Sequence, residues 1–202
     1  MTESHPFNNK NFYGATKIAG EAMATAFNDR YGLEVVSLRY MNVYGPGQSL
    51  SNPYTGIMSI FSTRILNGND LDIYEDGEES RDFVYIDDVV DATILGIEKE
   101  EANGHIFNVG SGVSTSVLDV ANTLKRLYNS EINITVSGKF RLGDIRHNFA
   151  DLSKSKDLLG FTPKYHFERG IKEFVNWVKT QEVMEDKYEK SIQQLKNKGL
   201  IK

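Results

Sequence analysis

The chain has 202 residues, 40% hydrophobic and 25% charged, with a net charge of −5 and no cysteine. That length supports one to one and a half domains at ~100–200 residues each. The acidic balance argues against a nucleic-acid surface, which is usually basic, and the missing cysteines exclude disulfides and thiolate metal sites. No apolar run approaches the ~18 residues of a membrane span, and the start, Met1 to Pro6, carries no apolar signal core. A cytoplasmic location is the expectation. The four histidines show no metal-ligand spacing.

Residues 1–11 are polar and read as a loop. In Tyr13-Gly14-Ala15-Thr16-Lys17 a tyrosine stands four residues before a lysine. Ile18, Ala22, Met23 and Ala26 then recur at helical spacing, which predicts an amphipathic helix ending near Gly32. Residues four apart share a helix face, so phenol and ammonium project side by side. An adjacent ammonium favours phenolate, and a positioned phenolate can take a proton from a hydroxyl. For the motif alone, two unrelated exposed residues on a surface helix are the better reading.

Leu33 to Tyr40 reads as a buried strand, predicted to be parallel over Val35 to Leu38. Helix followed by strand implies an α/β unit with a parallel sheet. The strand runs into Met41-Asn42-Val43-Tyr44-Gly45-Pro46-Gly47. Ligands of open α/β sheets sit beyond the carboxyl ends of strands, so Asn42 is either a ligand contact or a turn residue.

A helix is predicted over 57–66 and a short strand over 71–74. Ser80 to Ile86 reads as one strand, capped into a helix by Asp87 and Asp88, since carboxylates suit a helix N-terminus. His105 to Val109 is another strand. It enters Gly110-Ser111-Gly112, which lacks the third glycine of a dinucleotide fingerprint and reads as a turn. A helix over 116–127 with a Ser114 or Ser116 cap follows. Next come a strand over 132–136, a charged loop over 140–146, helices at 153–159 and 167–180, and a charged, loosely held helix or tail over 181–202.

Five stretches in order carry a resemblance: Tyr13 to Lys17, Leu38 to Pro46, Ser80 to Val89, Asn108 to Gly112 and Arg141 to Asp144. Together they resemble the nucleotide-sugar epimerase/dehydratase branch of the short-chain dehydrogenase/reductase superfamily, over residues 1 to about 180. Asn52 to Phe61 and Ile73 to Gly77 look most like UDP-glucose and UDP-N-acetylglucosamine 4-epimerases. The resemblance implies an α/β fold. Residues 1–45 would be a remnant of the NAD-binding Rossmann domain, and 46–180 mainly a small substrate-binding domain. Residues 81–112 would return to the Rossmann sheet, and 181–202 would form a tail.

The resemblance also implies roles. Tyr13 would be the base on the sugar 4-hydroxyl, and Lys17 would bind the nicotinamide ribose of NAD. Met41 would border the nicotinamide. Asn42, Arg81 and Arg141 would hold the diphosphate of a UDP-sugar, with Asp144 near the nucleotide. A homodimer through the Tyr13 helix is implied too. For Arg81 and Arg141, the alternative is an ordinary surface ion pair with Asp82 or Asp144. The family's glycine fingerprint lies upstream of the tyrosine and has no counterpart here. The expectation is therefore the C-terminal part of an epimerase, inactive alone. A 4,6-dehydratase and a non-catalytic remnant that only holds a sugar nucleotide are the alternatives.

Overall fold

The computed structural model describes residues 1–9, 11–52, 56–140 and 144–199. Helix α1 spans Phe12–Tyr31. Asn11 caps it by accepting from the Gly14 amide at 2.8 Å, and left-handed Gly32 (φ 65°) closes it. Strand β1 is Ser37–Tyr40, starting four residues after Leu33 and ending at Tyr40 as the sequence predicts. A second strand, β2 (Asn42–Tyr44), follows after Met41 alone, where the sequence suggested a loop.

The helix over 57–66 is α2 (Ile57–Leu66), and β3 is Leu71–Ile73. The single strand expected over 80–86 is two, β4 (Ser80–Arg81) and β5 (Phe83–Tyr85). Asp82 breaks it. This carboxylate is fully buried and accepts from the amides of Ser111 (2.6 Å), Gly112 (3.0 Å) and Ala150 (3.1 Å). Buried carboxylates need such donors.

Helix α3 is Ile86–Glu98, β6 is Ile106–Val109, β7 is Thr115–Ser116 and α4 is Val117–Tyr128. Ser116 caps α4, accepting from the Asp119 amide at 3.0 Å. Asp87 and Asp88 lie in the first turn of α3 but cap nothing. Buried Asp88 instead accepts from the amides of Lys164 (2.8 Å) and Tyr165 (3.1 Å), tethering a distant loop. Strands β8 (Ile134–Val136) and β9 (His147–Asn148), a π-helical turn over Ser155–Leu159, α5 (Phe167–Val178) and α6 (Tyr188–Asn197) complete the chain. The sequence predicts a loosely held helix or tail over 181–202. Its α6 is docked, with Ser191 and Ile192 buried.

Pairing is parallel for β1–β6, β2–β5, β3–β8 and β4–β9, and antiparallel for β4–β7. Alternation along β5 divides two cores. Phe83 and Tyr85 join Tyr44, Phe61, Leu124, Ile171 and Phe174 on one side, while Val84 joins Phe107, Val109 and Phe161 on the other. Helix α5 lies against Tyr44 so tightly that a Cβ on Gly170 would strike its phenol.

The amphipathic run of α1 does not reach either core. None of its residues is buried, and Ala22, Met23 and Ala26 are exposed. Its tie to β1 is polar: Arg39 grips Glu21 with two bonds of 2.7 Å.

Candidate functional site

Among the described residues a cleft of about 250 Å³ opens beside β2 and β4. Asn42 reaches it because β1 ends and β2 begins there, with the Asn42 amide donating to the Asp82 carbonyl at 2.9 Å. Arg81 reaches it from β4, which is fixed between β7 and β9. Its guanidinium donates to the carbonyls of Ser80 (2.9 Å) and Arg146 (3.1 Å) and to the Asp144 carboxylate (3.0 Å). The structure thus brings Asn42, Arg81 and Asp144 to one cleft. Arg141 lies outside the described residues.

A second side of the cleft is apolar and aromatic. It takes Ile57, Ile60 and Phe61 from α2, Ile73 and Tyr74 from β3 and its exit, and Tyr188 from α6. Carboxylates line it as well: Asp72, Glu75, Glu79 and Asp144. Most are compensated. Lys139 holds Asp72 at 2.6 Å, Arg146 holds Glu75 at 2.8 Å, and Arg81 itself holds Asp144. Burial, with Glu75 nearby, pushes the Glu79 carboxyl above the usual carboxylate range. Arg81 is then the described cation that can be handed to an incoming anion, its bond to half-exposed Asp144 being one that solvent and ligand can replace.

Tyr13 and Lys17 do meet, on the exposed face of α1. The Lys17 ammonium lies 5.3 Å from the centroid of the Tyr13 ring, over its face rather than at its hydroxyl. Neither lines the cleft, and Tyr13 is 72% exposed. Met41 packs under Gly110 between the two strands, where a Cβ on that glycine would meet its Cγ at 2.9 Å.

Sequence reasoning missed Tyr188, Tyr74 and the α2 side chains as cleft walls. For Tyr188 a signal existed. Tyr188, Ser191, Ile192 and Leu195 fall at i, i+3, i+4 and i+7, a docking stripe inside a charged segment.

Residues 1–110 match the NAD dependent epimerase/dehydratase family. A dTDP-L-rhamnose 4-epimerase of Burkholderia thailandensis is 43% identical over 82% of this chain and 46% of its own length. Among solved structures, a UDP-glucose 4-epimerase of Thermotoga maritima superposes with a TM-score of 0.78 at 37% identity. It covers 89% of this chain and 57% of that one. A UDP-N-acetylglucosamine 4-epimerase of Methanobrevibacter ruminantium gives 0.82 at 36% identity, over 90% and 57%. The chain spans about half the length of the curated relatives it matches. No described helix is long and apolar enough to cross a membrane. The α/β architecture with its parallel pairings is that of a Rossmann-like extended short-chain dehydrogenase/reductase fragment, and the chain belongs to the NAD dependent epimerase/dehydratase family.

Proposed function

We propose that these residues form the substrate side of an NAD-dependent sugar-nucleotide 4-epimerase of the UDP-glucose or UDP-N-acetylglucosamine type. The observation that carries the reading is the cleft, where Asn42 and Arg81 share one volume with an aromatic wall. A nucleoside diphosphate has this division: an anionic diphosphate that suits guanidinium and amide donors, and a flat base that suits aromatic surface. Arg81 leaves Asp144 for the diphosphate, joined by Arg141. The sugar extends toward Tyr13, whose phenolate takes the 4-hydroxyl proton and becomes the phenol. The 43% identity to a dTDP-L-rhamnose 4-epimerase favours, as a second reading, a thymidine diphosphate sugar.

NAD, when bound, supplies the hydride exchange of this chemistry. The described residues fit it at one end. Tyr13 and Lys17 offer a hydroxyl and an ammonium to a ribose. The glycine turn at 110–112 offers no cradle for the pyrophosphate. Its Ser111 and Gly112 amides already donate to Asp82, and a Cβ on Gly110 would strike that same carboxylate. The pyrophosphate cradle therefore belongs to polypeptide outside these residues. In this reading residues 1–45 complete a dinucleotide-binding sheet, 46–180 bind substrate with 81–112 returning to the sheet, and the protein is cytoplasmic. The exposed Phe12, Met23 and Phe27 on α1 also support a homodimer through that helix.

Calorimetry with UDP-glucose tests the reading. Removing a charged hydrogen-bonding group typically costs about 1.5–3 kcal/mol, so Arg81→Ala is expected to weaken binding at least about tenfold. Unchanged affinity would overturn the diphosphate assignment. NAD alone is expected to leave the melting temperature of the 202-residue chain where it was, and UDP-glucose to stay unconverted. Epimerisation by residues 1–202 alone would overturn the assignment of the pyrophosphate cradle to another segment.

A further inference from the structure

We infer that the segment Asp186–Ile192 is a fixed strap over the aromatic side of the cleft. On it, Tyr188 is a specificity-determining side chain that recognises the pyrimidine base of a nucleoside diphosphate. This inference rests on the sugar-nucleotide reading above.

The strap is built, not draped. Asp186 is its hub. One carboxylate oxygen accepts from Arg64 at 3.2 Å and from the Asn69 amide group at 2.8 Å. The other accepts from the Tyr188 backbone amide at 2.8 Å, which starts α6. The Asn67 side chain donates to the Met184 carbonyl at 2.9 Å just before it. Arg64 is itself buried in α2 and donates through Nε to the Asp70 carbonyl at 2.9 Å. These bonds tie the strap to the same helix and turn that frame the cleft.

The anchor also aims the ring. The Arg64 guanidinium lies 4.2 Å from the Tyr188 ring centroid, backing one face of the ring. The Tyr188 hydroxyl donates to the Tyr74 hydroxyl at 3.3 Å. With one face and the hydroxyl both fixed, the ring presents what remains of its surface without paying rotamer entropy on binding. Its companions in the lining, Ile57, Ile60, Phe61 and Ile73, offer nothing to a hydroxyl-rich sugar and suit a flat base.

One acceptor completes the case. Asp72 Oδ2 is held by Lys139 at 2.6 Å, while its buried Oδ1 meets no hydrogen-bond partner among the described residues. Buried carboxylate oxygens are seldom left so. An imide N–H, present in uracil and in thymine, is the donor that would suit it.

The test is calorimetry on the 202-residue chain with UDP and, separately, inorganic pyrophosphate, with circular dichroism checking each variant's fold. Loss of an aromatic platform under a base typically costs about tenfold or more, so Tyr188→Ala should weaken UDP by at least that while pyrophosphate stays within about twofold. Tyr188→Leu keeps an apolar cover on Arg64 and should show the same split, whereas Tyr188→Phe should retain most of the UDP affinity. UDP affinity unchanged in Tyr188→Ala and Tyr188→Leu would overturn the inference. So would an equal fall of UDP and pyrophosphate in both, which marks a merely structural strap. In either case a loss of both probes in Arg81→Ala leaves the sugar-nucleotide reading standing. Failure of the unmodified chain to bind UDP at all would overturn both.

Discussion

Helices α1 and α5 both carry apolar residues at helical spacing, yet their fates differ. Helix α5 buries Gly170, Ile171, Phe174, Val175 and Val178, whereas α1 buries none of its 20 residues. Phe12, Met23, Phe27 and Tyr31 of α1 stand in solvent, and Phe27 and Tyr31 pair with each other, at 5.7 Å. The comparison separates two duties. The cleft-forming lobe rests on a dense core of its own. The helix bearing Tyr13 and Lys17 presents apolar surface that asks for a partner. Stability is not uniform across such a molecule, and the weakly packed element opens first.

The largest expected effect tests the core side. Phe174 is fully buried beside Tyr44 and Trp177. Phe174→Ala should cost about 3–5 kcal/mol in urea unfolding, the usual toll of a large aromatic deletion. Met23→Ala on α1 should stay within about 0.5 kcal/mol, as exposed substitutions do. Comparable losses at the two sites would break the comparison.

Next in size is the strap. The side chains of Arg64 and Asp186 are each only 9% exposed, and removing one partner of a buried pair is costly. Asp186→Ala should approach about 3 kcal/mol and should release amide protection in α6 before the rest of the lobe. Protection retained in α6 would show that Ile192 alone suffices to hold it.

Alkaline titration sharpens the same contrast. Burial pushes the phenols of Tyr85 and Tyr128 from 10.0 up to about 12. The folded state therefore keeps protons that the unfolded chain loses. Their contribution is fully present below about pH 10 and is lost as pH rises through about 12. The urea midpoint should hold steady from pH 7 to 9 and fall above 10. Tyr128→Phe should flatten that fall, and an unchanged slope in the variant would remove this phenol from the account.

How legible all this was depended on the range of the forces involved. Local signals were readable. The α2 boundaries, the Ser116 cap and the Gly32 stop follow from short-range chemistry at the residues themselves. The convergence of Asn42, Arg81 and Asp144 was legible only through the resemblance, because no periodicity links residues that far apart. The functions of Asp82 and Asp88 were hidden for a related reason. Each carboxylate serves amides more than 25 residues away in sequence, and nothing local marks it as a long-range tether. Met23 and Ala26 misled. Periodicity reports that a face is apolar and does not say what covers it. At the C-terminal segment the loose hold is what misled, since charge outweighed a docking stripe of four residues.

A small effect on overall stability should come from the tie between the two regions. Glu21 and Arg39 meet through two bonds of 2.7 Å, with side chains 17% and 21% exposed, so the pair is sheltered without being deeply buried. Paired geometry makes it stronger than an ordinary surface bridge, and solvent still screens part of it. Glu21→Gln keeps the size and one acceptor and deletes the charge. The global unfolding free energy should fall by no more than about 1 kcal/mol, because the cores hold the lobe without α1. Exchange of the α1 amides should nevertheless accelerate, since no buried apolar contact remains to resist opening. If those amides stay as protected as before, the apolar stripe on α1 is covered in solution, and a second copy of the chain becomes the natural cover, visible as a concentration-dependent mass in sedimentation. If α1 exchanges faster while α5 does not, the division between a helix held by charge and a lobe held by packing is upheld.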